Sequence, residues 1–260
     1  MAITLRSARE IEKLQRAGAV VADVLSKLKE VIKPGISTGE LNEIALSITA
    51  QAGAKALFKG VESPYAKHPF PGAICASVND QVVHGIPSEK VKVRDGDIVS
   101  VDYGARLGGY CADAAITVGV GKISPDKQRL IDITKQVLDI AIDKSAPGMK
   151  WSEIAAEMEE CSKTAGFTVV RDFVGHGIGT EMHEDPKVPN FVSKDLLKND
   201  IFLREGMILA VEPMVNMGSD AVRTERDGWM VVTKDGKCSA HFEHTIAVVQ
   251  GGCKVLTVCG

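Results

Sequence analysis

VRDGDIVSVD (residues 93–102) and LREGMILAVE (residues 203–212) follow one pattern: a basic residue, an acid, a glycine, then an apolar run closed by a carboxylate. Each run has the length and aliphatic content of a buried strand. Each therefore carries an acid, Asp102 or Glu212, into low dielectric. A buried carboxylate with no partner is costly or takes up a proton, so repeating the arrangement implies a positive charge that both acids share.

Working outward, DAAITV (113–118) and EHTIAV (243–248) again open on an acid and run into a strand, which adds Asp113 and Glu243. Upstream, VVHGIP (82–87) stands against VGHGIG (174–179), making His84 and His176 equivalent, and KPGISTGEL (33–41) matches APGMKWSEI (146–154) as a Pro-Gly turn before a helix. Correspondences in the same order imply a single catalytic domain over 1–260, made of two similar halves, roughly 1–121 and 122–260, about a pseudo-twofold axis. Two such halves closing on each other bring four carboxylates and at least one imidazole to the axis, the donor set of a two-metal centre.

The remaining pattern supplies the frame. Ser7 and Glu10 form a capping box for an amphipathic helix over 8–32, and Ser37 with Glu40 opens a second that runs to Gly53. Ser124 and Pro125 start a third, to about Lys144, and Trp151–Ala165 forms a fourth. Asp102 and Asp113 fall on an antiparallel pair joined across the Gly104–Gly109 region. Alternation puts Ser100 on the face of Asp102 and Ala210 on that of Glu212, small residues that leave room for an ion. HEDPKVPNF reads as a proline-containing excursion, and the aromatic loop 57–74 as a candidate pocket wall. Paired helices alternating with hairpins predict an α+β fold, helices outside a curved sheet.

Composition excludes other classes. A net charge of -3 without a Lys/Arg block argues against nucleic acid, and no apolar run is long enough to span a bilayer. With no apolar leader after the charged start, the expected compartment is the cytoplasm. Six cysteines (75, 111, 161, 238, 253, 259) show no finger spacing and are expected as reduced thiols. Without an obvious heptad, a monomer is the expectation.

Four carboxylates and one imidazole suit divalent Mn, Fe or Co at least as well as Zn. The repeat assigns Asp113 and Glu243 as bridges, Asp102 to one ion, and His176 with Glu212 to the other. Water held between such ions supplies hydroxide at neutral pH, so the implied class is metal-assisted hydrolysis. His84 is expected to stand back from the ions and meet substrate. His183 is undecided by its surroundings, while His244, His241 and Asp97 read as structural.

Taken together, VVHGIP, the Asp102 to Asp113 spacing, VGHGIGTEMHEDP, the Glu212-Pro213 pair and HFEHTI resemble the type I methionine aminopeptidases of the pita-bread fold. The resemblance spans essentially the whole chain and, with no extension before Ser7, looks like the short bacterial-style form. It implies removal of the initiator methionine from nascent proteins whose second residue is small, with the ribosome a possible partner. It also implies Asp102, Asp113, His176, Glu212 and Glu243 as ligands of two divalent ions (Co, Mn, Fe or Zn). By the same resemblance Glu212 shuttles a proton, His183 donates to the carbonyl oxygen, and His84 bonds the scissile amide region. Phe70, Cys75, Met182 and Trp229 would hold the methionine side chain, although many relatives carry Tyr and Phe in place of Phe70 and Met182. The alternatives are an aminopeptidase P or prolidase-like Xaa-Pro peptidase, and a non-enzymatic binding protein on the same fold.

Overall fold

The computed structural model describes residues 3–258. Four long helices form where the sequence predicts them: α1 (Ala8–Val31), α2 (Thr38–Gln51), α3 (Pro125–Lys144) and α4 (Trp151–Thr164). Glu10 accepts the Ser7 backbone N–H at 2.9 Å, and Ser37 and Glu40 bond reciprocally at 2.7 and 3.0 Å. Caps of this kind contribute about 1 kcal/mol each. The first helix stops short of Pro34, because a residue preceding proline is pushed out of the helical region. No described helix is long and apolar enough to cross a membrane. The five described cysteines are free thiols, and Cys259 lies outside the described residues.

Among the described residues, nine strands form one antiparallel sheet. At its centre the Asp113 strand (Tyr110–Gly119) pairs with the Glu243 strand (Glu243–Val249). Outward from this seam lie the Asp102 strand (Ile98–Leu107) and then Cys75–Val78 on one side, and Ile208–Val211 followed by the His176 strand (Gly175–Gly177) on the other.

Side-chain parity separates the two faces of this sheet. Val99, Val101, Tyr103 and Ala105, with Ala112 and Ala114 opposite, pack against α1 and α2. Leu209, Val211, Ile246 and Val248 do the same beneath α3 and α4. The acids have the other parity, so burying the aliphatic face under helices leaves the carboxylates on the concave side.

Two details differ from the sequence reading. The first hairpin turns at Gly108 and Gly109 alone, both at positive φ (58° and 85°), which a two-residue loop between right-twisted strands requires. Gly104 is thus inside a strand, opposite Asp113. HEDPKV is not an excursion: Glu184–Val188 is the edge strand of the large sheet, beside His176.

Candidate metal centre and active site

Cross-strand register decides which side chains meet. Asp102 lies opposite Ala115, and Ala115 opposite Glu243. In the next row Gly104 faces Asp113, while across the seam Thr245 faces Ala210, itself opposite His176. Small residues at 104, 115 and 210 therefore alternate with the ligating ones, and a Cβ on Gly104 would stand 3.2 Å from Asp113 Oδ1. This corrects the role expected of Ser100, whose hydroxyl bonds Thr117 at 2.8 Å; the space beside Asp102 comes from Ala115. Thr245 closes the seam, accepting the Asp113 N–H at 2.9 Å and donating to the Asp113 carbonyl at 2.8 Å.

Asp113, His176 and Glu243 each present a ligand atom within 4.8 Å of the others. His176 Nδ1 donates to the Gly177 carbonyl at 2.9 Å, which fixes the tautomer and turns Nε2 toward Glu212 Oε1, 3.6 Å away. Glu212 follows its strand, and its carbonyl accepts from Asn190 Nδ2 at 3.0 Å. His241, read as structural, is buried with Nε2 3.8 Å from Glu212 Oε2. His244 is on the helix side, bonded to Thr257 at 2.8 Å.

Electrostatics of this cluster call for a cation. Burial, reinforced by neighbouring carboxylates, drives Asp102, Glu212 and Glu243 well above the usual carboxylate range, and burial raises Asp113 to about 7. The ion-pair neighbours described for Glu212 are His176 and His241, not Lys or Arg. Asp102 Oδ1, Asp113 Oδ1 and Glu243 Oε1 are buried with no hydrogen-bond partner among the described residues. Orphaned buried acceptors, two of them on Asp113 and Glu243 whose ligand atoms converge with that of the neutral His176, fit an oxygen-rich divalent metal site, with Asp102 and Glu212 lining the same cavity outside that convergent group.

The acids line a cavity of about 570 Å³. One wall is the soft cluster of Phe58, Phe70 and Cys75, with Val61, Met182 and Trp229 packed against it, and Phe70 meets Trp229 edge-on at 5.3 Å. His84 stands at the same cavity, 5.6 Å from the Phe173 ring and 6.4 Å from that of Trp229. His183 lies 4.3 Å from the His176 ring. Burial lowers the pKa of His84 and of His176 to about 4, with the nearby His183 contributing to both, and burial lowers that of His183 too. All three imidazoles are thus neutral at pH 7.

Sequence reasoning missed several lining residues. Phe58 and Val61 belong to the aromatic loop already suspected as a wall, whereas Phe173 had no signal in VVRDFVG. Nor did Arg6, whose guanidinium holds Glu184 through two 2.7 Å bonds. Glu184 also accepts the Thr180 and Glu181 N–H groups at 2.8 and 3.1 Å, so this pair fastens the turn that carries Met182 and His183.

Residues 12–250 match metallopeptidase family M24. The chain belongs to this family. An M24 relative from Aquifex aeolicus, a methionine aminopeptidase, is 45% identical over 257 residues, covering 99% of both chains. The crystal structure of a methionine aminopeptidase from Thermotoga maritima superposes with a TM-score of 0.92 at 39% identity, covering 99% of this chain and all of that one. A prolidase from Pyrococcus furiosus shares the fold at TM-score 0.73, but with 21% identity and only 66% of its own length matched. The M24 pita-bread architecture is therefore common to both groups, while full-length similarity lies with the former.

Proposed function

We propose that the chain removes N-terminal methionine from proteins whose second residue is small, acting in the cytoplasm as a single catalytic domain on chains emerging from the ribosome. The observation that carries this reading is the opening of a soft, sulfur- and aromatic-lined pocket directly onto four buried carboxylates. Phe70, Cys75, Met182 and Trp229 suit a thioether by polarizability and shape. In this reading Asp102, Asp113, His176, Glu212 and Glu243 would hold two divalent ions. Such ions, when bound, supply Lewis acidity and lower the pKa of water toward neutrality.

The chain's own residues do the rest. Glu212 reaches the cavity beside the other acids, where it would accept a proton from the attacking water and return it to the leaving amine. His183, neutral, donates an N–H to the substrate carbonyl as negative charge develops there, a contact of about 3–4 kcal/mol in comparable sites. His84, held between Phe173 and Trp229, bonds the scissile amide. With the methionine side chain in that pocket, the free α-amino group of the substrate would approach the metal centre, which accounts for an exopeptidase.

Comparing methionine release from Met-Ala-Ser with cleavage of an Xaa-Pro peptide tests the reading. Release from the first is expected; preference for the second would replace it with a prolidase-like activity, the reading that only the shared fold favours.

A further inference from the structure

Trp229 forms a wall of the proposed methionine pocket, yet its ring is only partly buried, and packing against Phe70 is not all that holds it. Its indole Nε1 donates to the His68 carbonyl at 3.0 Å. The residue before it, Gly228, stands at φ 79°, where a Cβ would overlap the Tyr65 carbonyl oxygen and lie 2.5 Å from Ala66 Cα. Both are main-chain atoms, so no side-chain rotation relieves the overlap. A hydrogen bond and a close backbone approach thus seat residues 65–68 on the turn that carries Trp229.

Both partners are internally fixed. The loop has a closed neck, in which the Gly60 N–H donates to the Phe70 carbonyl at 2.9 Å and the Phe70 N–H to the Val61 carbonyl at 2.8 Å. Within it, Pro69 restricts His68 to extended conformations, which limits the directions open to the carbonyl that meets the indole. Opposite, Asp227 Oδ1 accepts the Trp229 and Met230 N–H groups at 2.8 and 2.9 Å. The Tyr65 side chain is 85% exposed, so its residue meets the turn through main chain.

We infer that residues 62–69 are a clasp that determines specificity for the first residue of the substrate, by holding Trp229 at a fixed distance across the pocket, and that Gly228 is the position that lets the clasp seat. An apolar pocket separates side chains of similar size only modestly, and only while its walls do not yield. A held indole admits the unbranched methionine side chain and resists the wider γ-branch of leucine. This rests on the aminopeptidase reading and deepens it.

The test compares kcat/KM for Met-Ala-Ser and Leu-Ala-Ser in the metal-loaded full chain, with metal content and melting temperature measured alongside. Replacing residues 63–68 by Gly-Gly, which keeps the neck, should lower the Met-to-Leu ratio by about tenfold with metal content intact. Trp229→Phe keeps a ring but removes the N–H donor, and should lower the ratio by roughly threefold. Gly228→Ala should lower it in the full-length loop and change it no further in the shortened one, where the atoms it would meet are gone. An unchanged ratio in the shortened-loop variant, or a Gly228→Ala effect of equal size in both backgrounds, would overturn the clasp. Should the shortened chain fail to fold, Trp229→Phe decides alone, and an unchanged ratio there would overturn it. Failure of the unaltered chain to release methionine from Met-Ala-Ser would instead overturn the aminopeptidase reading, a separate outcome.

Discussion

His84 and His176 occupy matching places in the duplicated sequence, each in a His-Gly-Ile segment, yet the fold uses them differently. His176 sits within a strand, directly across from Ala210, with Nδ1 spent on a backbone carbonyl and Nε2 turned to the acids. His84 follows the short Gln81–Val83 strand in the left-handed region, φ 59°, and packs between two aromatic rings. That backbone setting is rare for a residue with a Cβ and takes its side chain off the alternation that a strand would impose. In the proposed reading the repeated carboxylates keep one role while the imidazoles divide, His176 toward the metal centre and His84 toward substrate. An asymmetric reactant such as a peptide needs that inequality.

The comparison can be broken first at the symmetric part. Asp113→Ala removes a proposed bridging ligand and should abolish metal binding and turnover together, read by metal analysis and methionine release. His176→Ala should lose one ion and about 10³-fold in kcat, whereas His84→Ala should keep both ions and lose about 10²-fold. If His84→Ala were the variant that lost metal, the division between the two histidines would be wrong. His183→Ala sharpens the same division from the oxyanion side: full metal content, with kcat down by roughly 10²-fold and KM little changed. Arg6→Met should act through this histidine by freeing Glu184, lowering kcat by about tenfold with metal content intact and with partial recovery in Arg6→Lys.

The smallest effect is on stability. Asp113 in the fold titrates at about 7 against an ordinary 3.8, and Asp102, Glu212 and Glu243 shift the same way. The folded metal-free chain therefore binds these protons more tightly than the unfolded one, so their contribution is full below the ordinary carboxylate range and, for Asp113, is lost progressively as pH rises from 3.8 to about 7. His84 and His176, lowered to about 4, oppose this only below their ordinary 6.5. Thermal melts of stripped protein should accordingly fall as pH rises from 6.5, where the histidines cease to oppose it, through 7, and divalent metal should remove most of that slope.

Much of this was legible beforehand because it depends on local chemistry. Two capping boxes and the Ser124-Pro125 start located three of the long helices to within a residue or two, and acids closing apolar runs marked the centre, since a buried carboxylate demands an explanation wherever it falls. What escaped depends on register. Alternation puts Ser100 on the face of Asp102, but only strand pairing reveals that Ala115 is its neighbour across the sheet. The edge strand was hidden by Pro186, a residue that sheets tolerate at edges alone. Arg6 and Glu184 lie 178 positions apart, and nothing in either segment announces the other.

The most direct test is anomalous diffraction from crystals of Mn-loaded protein. Two manganese peaks bridged by Asp113 and Glu243, one also bound by Asp102 and the other by His176 and Glu212, with His84 unbound, is the predicted result. Metal seated elsewhere, or those carboxylates turned away toward Lys or Arg, would contradict it.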